Sequence, residues 1–207
     1  MFFGSAMTNF GVRGFLEEYL RLAPAPQPRM SSDGLISPDD ENFSGFIFKI
    51  QANMNPAHHD RLSFIRICSG KFERGMSVYH MQGGKAVKLS QPQQFLAQDR
   101  QIIDTAYPGD IVGLFDPGIF GIGDTLCMPS HKFKFADFPV FPPERFARVS
   151  AKDTMKRKQF VKGIMQLTQE GAVQLFQQAG AGMESYIVGT VGQLQFDVLE
   201  YRLKKRI

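Results

Sequence analysis

The chain's most concentrated chemical resource is positive charge. Between residues 144 and 162, Arg145, Arg148, Lys152, Lys156, Arg157, Lys158 and Lys162 stand against only Glu144 and Asp153. A second run, Lys204-Lys205-Arg206, lies near the last residue. Clustered cations neutralise phosphates and steer nucleic acid toward a surface. A similar run also serves as the solvated face of a helix. Arg145, Arg148, Lys156, Arg157 and Lys158 are the candidate nucleic-acid contacts. The asymmetry is regional. Residues 1–143 hold 13 Lys+Arg against 14 Asp+Glu, whereas residues 144–207 hold 11 against 6.

Other chemistries find little support. No GxxxxGK[ST], no GxGxxG after a strand, no HExxH and no GxSxG occurs. His58 and His59 are adjacent, so a regular element would point them apart, and with Asp60 they read as a polar loop. His80 and His131 have no identifiable partner. Asp39-Asp40-Glu41 reads as a solvated linker rather than a cation site. Asp110 and Asp124 follow glycine turns, where a carboxylate usually accepts from its own backbone. Cys68 and Cys127 are far apart and form no CxxC, which disfavours a disulfide framework and a thiolate zinc site. Reduced thiols point to the cytoplasm.

These residues must be positioned by a folded scaffold, and composition permits one. The 207 residues are 43% hydrophobic, 21% charged and 12% aromatic, which excludes a disordered or collagen-like chain. Folding at this size removes roughly 70% of the extended chain's surface from water. No stretch of 18 apolar residues predicts a membrane span, and Met1-Phe2-Phe3-Gly4 lacks the basic flank of a signal peptide.

Residues 8–22 predict a helix capped by Thr8 or Asn9, with Val12, Phe15, Leu16, Tyr19 and Leu20 on one stripe. Pro24, Pro26 and Pro28 stop it, and 23–44 reads as linker. Residues 45–128 carry short β-branched and aromatic runs separated by turns, which predict a barrel or sandwich. The Pro- and Phe-rich stretch 129–143 predicts an extended connector pinned to a domain surface. Then the period changes. Phe146–Val149 predicts a strand and 155–169 a helix ended by Gly171. Ala172–Gln177 and Ser185–Val191 predict a hairpin, and Gln193–Lys205 a helix. The β-α-β-β-α order is most of a ferredoxin-like sandwich.

Several stretches resemble a known family. Tyr107-Pro108-Gly109-Asp110-Ile111 and Gly123-Asp124-Thr125-Leu126 resemble the AGDI…GDTL pattern of the β-barrel second domain of translational GTPases. Gly70–Met76 is similar to a hairpin of that barrel, and Gly192–Phe196 to the first helical turn after a strand of the third domain. Phe48–Met54 and Gln166–Gln174 narrow the resemblance to the bacterial class II peptide-chain release factors. Gly4-Ser5-Ala6 resembles the short element with which these GTPases touch the guanine base.

The resemblance implies an α+β chain. It would comprise an N-terminal helix and linker left from a GTPase domain over 1–35, a translation-factor β-barrel over 36–130, a connector over 131–143 and an incomplete ferredoxin-like βαββα domain over 144–207. It implies that Ser5 and Ala6 are a remnant of the guanine contact. The fourth strand of the third domain is expected to be missing. For the parent family it implies GTP or GDP with magnesium, the small ribosomal subunit's rRNA and protein, and class I release factors as partners. No membrane is implied. The alternatives are a fragment of an elongation or ribosome-protection GTPase, and a stand-alone RNA-binding barrel protein. The phosphate-binding loop, the switch residues and the Asn-Lys-x-Asp motif of these GTPases do not occur in the chain. A nucleotide needs backbone N–H groups and a Lys around its phosphates and a Ser/Thr-held magnesium. Calorimetric titration of GTP or GDP into this chain is therefore expected to give no heat of binding. Micromolar affinity would show a nucleotide site of another kind.

Overall fold

The computed structural model describes residues 1–52, 61–89, 92–96, 99–151, 153–176 and 186–206. The expectations for His58-His59-Asp60, for the loop joining the last two strands, for Gln177 and Ser185, and for Lys152 fall outside the described residues. Helix α1 spans Val12–Leu22, four residues later than expected. Thr8 and Asn9 do not cap it. The Ser5 N–H donates to the Phe10 carbonyl at 2.9 Å, so residues 5–10 close into a turn. Gly11 then starts the helix at φ 71, and a Cβ there would lie 2.4 Å from the Phe3 carbonyl oxygen. That spacing leaves room for glycine alone. The expected stripe exists, with Phe15 packed edge-on against Phe2 and beside Tyr19. None of the helix's residues is buried.

The segment expected as linker contains a hairpin of β1 (Arg29–Ser31) and β2 (Gly34–Ile36). Its Ser and Asp residues serve a turn, since the Ser31 hydroxyl accepts from the Asp33 N–H. Strands β3 (Ser44–Ala52), β4 (Arg61–Ser69), β5 (Phe72–Glu73), β6 (Ser77–His80), β7 (Lys85–Lys88), β8 (Gln93–Leu96), β9 (Asp99–Ile102), β10 (Thr105–Ala106), β11 (Ile111–Phe115) and β12 (Thr125–Cys127) follow. Among the described residues, eight of them form one antiparallel sheet in the order β7-β6-β12-β3-β4-β11-β8-β9, and β5 pairs with β10. The sheet curls around Ile47, Ile50, Ile65, Ile67, Phe72, Val78, Val112, Leu114 and Leu126. Ile47 and Ile50 are three apart yet share the inner side, because a bulge between Ile47 and Lys49 resets the alternation. β8 and β12 carry no clear strand run in the sequence. Their residues become strands only by pairing with neighbours.

The outer face of the sheet is also apolar. Phe46 and Cys127 pack there with Ile36, Phe133 and Phe135. The connector is thus pinned to the barrel by its phenylalanines, as the sequence predicted. It also ties down the hairpin, with the Ser32 N–H donating to the Lys134 carbonyl at 2.8 Å.

The remainder runs β13 (Arg145–Val149), a 3-10 turn (Thr154–Lys156), α2 (Arg157–Gln169), β14 (Gln174–Phe176), β15 (Tyr186–Thr190) and α3 (Gln193–Arg206). The Asp153 carboxylate accepts the Met155 N–H at 2.8 Å, and Gly171 ends the helical stretch at φ 73. The Gln195 side-chain oxygen accepts the Val191 and Gly192 N–H groups and so starts α3. The helices pack Phe160, Ile164, Leu167, Leu199 and Leu203 onto Val188 of an antiparallel sheet ordered β13-β15-β14. This is the strand order of a ferredoxin-like domain without the strand outside β13. Among the described residues β13 pairs with β15 alone, so half of its amides lie on an open edge. Hydrogen exchange should therefore reach Phe146–Val149 before Phe46–Ile50, whose strand is paired on both sides. Equal protection of the two segments in dilute monomer would show that the edge is covered.

Candidate nucleic-acid interface

Lys156 closes the 3-10 turn, and Arg157 and Lys158 open α2. All three are exposed, and the first turn of α2 holds no acidic residue. The helix dipole already places partial positive charge there, so the three cations are mutually unfavourable without an anion nearby. Lys158 and Lys162 are four apart and extend the same side of the helix. Lys156 and Arg157 also make interactions within the protein.

Arg145 and Arg148 are both exposed on β13, but three residues apart in a strand means opposite faces. Val149 packs into the helix-covered core, and Arg145 shares its face beside Gln193, Phe196 and Glu200. Arg148 lies on the other face with Phe146, whose ring meets Phe176 edge-on at 5.6 Å. The five candidate cations are therefore not one patch. Three cluster at the helix start, and two straddle the edge strand. Ser5 sits in the bridge to Phe10, and Ala6 is exposed in the same turn.

Two buried polar nodes had no signal in the sequence. His80, read there as isolated, is 2% exposed, and its Nε2 lies 2.6 Å from Asp124 Oδ2. The same oxygen accepts the Gly121 N–H at 2.7 Å, so the expected turn role of Asp124 is only half of its function. Asp110 does what its position predicted and accepts the Tyr107 N–H. The second node is Asp116. Its Oδ2 accepts from Arg61 Nε and the Ser63 hydroxyl, each at 2.7 Å. Its Oδ1 accepts the Gly118 and Ile119 N–H groups, each at 2.8 Å. Arg61 extends the node by donating to the Phe120 carbonyl and to the Gln169 side chain at the end of α2. The partners are 44 and 55 residues apart, beyond any local pattern. Among the described residues no group of three or more His, Cys, Asp or Glu could hold a metal ion, and both cysteines are free.

Residues 42–129 match the family model described as elongation factor G domain 2, and residues 135–206 match that described as class II release factor RF3, C-terminal domain. The chain is 58% identical over 204 residues to peptide chain release factor 3 of Symbiobacterium thermophilum. That alignment covers 99% of this chain and 38% of the relative. Along nearly its whole length the chain is similar to a part of the class II peptide-chain release factors. Its identity is 55% to the protein of the same name from Listeria welshimeri, and 54% to that from Ligilactobacillus salivarius. The first covers 99% of this chain and 39% of the relative, the second 98% and 38%. The chain thus spans well under half the length of these relatives. A solved structure from Thermus thermophilus has the same fold, with a TM-score of 0.73 at 18% identity, over 97% of this chain and 28% of that one.

Asp116 is fully shielded from solvent and Arg61 nearly so. Removing one member of such a pair leaves an uncompensated buried group, which costs about 3–5 kcal/mol. Urea unfolding of Asp116→Ala should show a loss of that size. Gln169→Ala, which removes an exposed partner, should cost less than about 1 kcal/mol.

Proposed function

We propose that this chain is the ribosome-contacting and relay portion of a GTPase that promotes release and recycling of class I release factors in translation termination. The carrying observation is the high identity to peptide chain release factor 3 across both folded units, 58% over 204 residues. The barrel match alone would suit an elongation-type factor as well. The match of residues 135–206 to the release-factor model favours termination. The unit boundaries proposed are 1–35, 36–130, 131–143 and 144–207.

In this reading Arg145, Arg148, Lys156, Arg157 and Lys158 meet phosphates of small-subunit rRNA, and ribosomal protein supplies further contacts. All five are exposed, and three stand where a helix dipole favours an anion. Ser5 and Ala6 belong to the guanine contact, and their turn is placed directly before α1. The residues present do not make a GTP site on their own, since the sequence holds no phosphate-binding loop and among the described residues no group of three or more His, Cys, Asp or Glu could hold a metal ion. The class I release factors are engaged through the parent protein. Its compartment is the cytoplasm, where ribosomes work, and no described helix is long and apolar enough to cross a membrane.

Ribosome co-sedimentation across a salt series tests this reading. Each phosphate contact contributes roughly one unit to the slope of log affinity against log salt. Lys156, Arg157 and Lys158 changed together to Ala should flatten that slope by about two to three units. An unchanged slope would return the cluster to a solvated helix face.

A further inference from the structure

A second positively charged site lies on the barrel, away from the basic helix start. A cavity of about 420 Å³ opens between the Pro24–Arg29 segment and the outer face of the sheet. Its walls include Arg29, Phe46, Arg66, Ile67, Cys68 and Gly109. Arg66 is the direct cross-strand neighbour of Phe46, so both occupy the outer face. The Arg29 guanidinium carbon lies over the Phe46 ring, 3.9 Å from its centroid, with the Phe138 and Phe135 centroids at 5.0 and 5.8 Å. One guanidinium therefore stacks on this ring, and a second arginine lines the same cavity.

Neither cation is neutralised there. No carboxylate lines the cavity among the described residues. Asp110, next to Gly109, turns its carboxylate to the Tyr107 N–H instead. Arg29 Nε is buried and has no hydrogen-bond partner. Cys68 supplies no negative charge either. Burial pushes its thiol up to about 11, even against the pull of Arg29 and Arg66. A buried donor without a partner costs about 1–3 kcal/mol, and two like charges on one cavity add repulsion. The walls are also held in place. Pro26 sits against Gly109, where a Cβ would lie 2.7 Å from the proline ring. The three prolines of the segment limit its freedom.

We propose that this cavity binds a phosphate group, held by Arg29 and Arg66 above the Phe46 ring. Guanidinium groups match phosphate oxygens with paired N–H donors, and stacking on an aromatic face orients that fork. The volume exceeds that of a bare phosphate, so the group arrives on a larger body. That body is either a small phosphorylated molecule or the backbone of an RNA strand.

The test follows the Arg29 Nε–H signal by nitrogen–proton NMR of the full chain at constant ionic strength. Inorganic phosphate is one probe and a short single-stranded RNA the other. A saturable downfield shift is expected with at least one probe. Arg66→Gln, an exposed change that leaves the fold intact, should weaken that binding about tenfold. Lys85→Gln, an exposed change on the edge strand β7 that lines no part of the cavity, should leave it unchanged. Saturation by phosphate with no response to RNA assigns the site to a small phosphorylated molecule. Saturation by RNA at lower concentration, with phosphate competing, assigns it to an RNA backbone. No shift with either probe, or a shift that Arg66→Gln does not weaken, overturns the proposal.

Discussion

Asp116 has no access to solvent, and an ionised carboxylate in that position is tolerated only when its oxygens are fully occupied. Arg61, Ser63 and the N–H groups after Asp116 meet that requirement. Satisfying it joins three parts of the chain. Arg61 and Ser63 come from β4, which is central to the large sheet. The loop after β11 is folded over the carboxylate by its own backbone. Arg61 then has donors left over, and it directs them to the Phe120 carbonyl and to Gln169 at the end of α2. The barrel's most demanding polar group is thereby part of its attachment to the following domain. Gly171, just beyond, comes close to the Ile122 side chain, so apolar contact reinforces the polar one.

A second constraint is that the sheet is apolar on both sides. The inner side closes on its own isoleucines and valines. The outer side has to be covered by other parts of the chain, and the Phe133-Phe135 connector and the β1–β2 hairpin do this. Covering one part of that face leaves an adjoining part as the cavity between the proline segment and β4. The same aromatic ring, Phe46, serves both regions, packing against Phe135 and Phe138 while carrying Arg29. Packing and charge placement on this face are therefore one arrangement.

Charge follows a different logic in the βαββα unit. Lys156, Arg157 and Lys158 stand at the start of α2, where the helix dipole opposes positive charge. By contrast, Arg202 reaches the shielded carboxylate of Glu170 at 2.7 Å and links α3 to the end of α2.

The sequence by itself determined the class of architecture, the βαββα order, the pinned connector and the location of excess positive charge. These depend on local periodicity, proline placement and composition, which act within a few residues. The start of α1 was misread because capping propensity at Thr8 and Asn9 yielded to a turn closed by Ser5 and Phe10. Tertiary structure alone decided the rest. It paired His80 with Asp124 and Arg61 with Asp116, and it put Arg145 and Arg148 on opposite faces of β13. It also set Arg29 over the Phe46 ring and brought Arg66 to the same cavity. Each of those outcomes depends on strand register between distant segments, and register is fixed by the closing of the whole sheet rather than by any window of sequence.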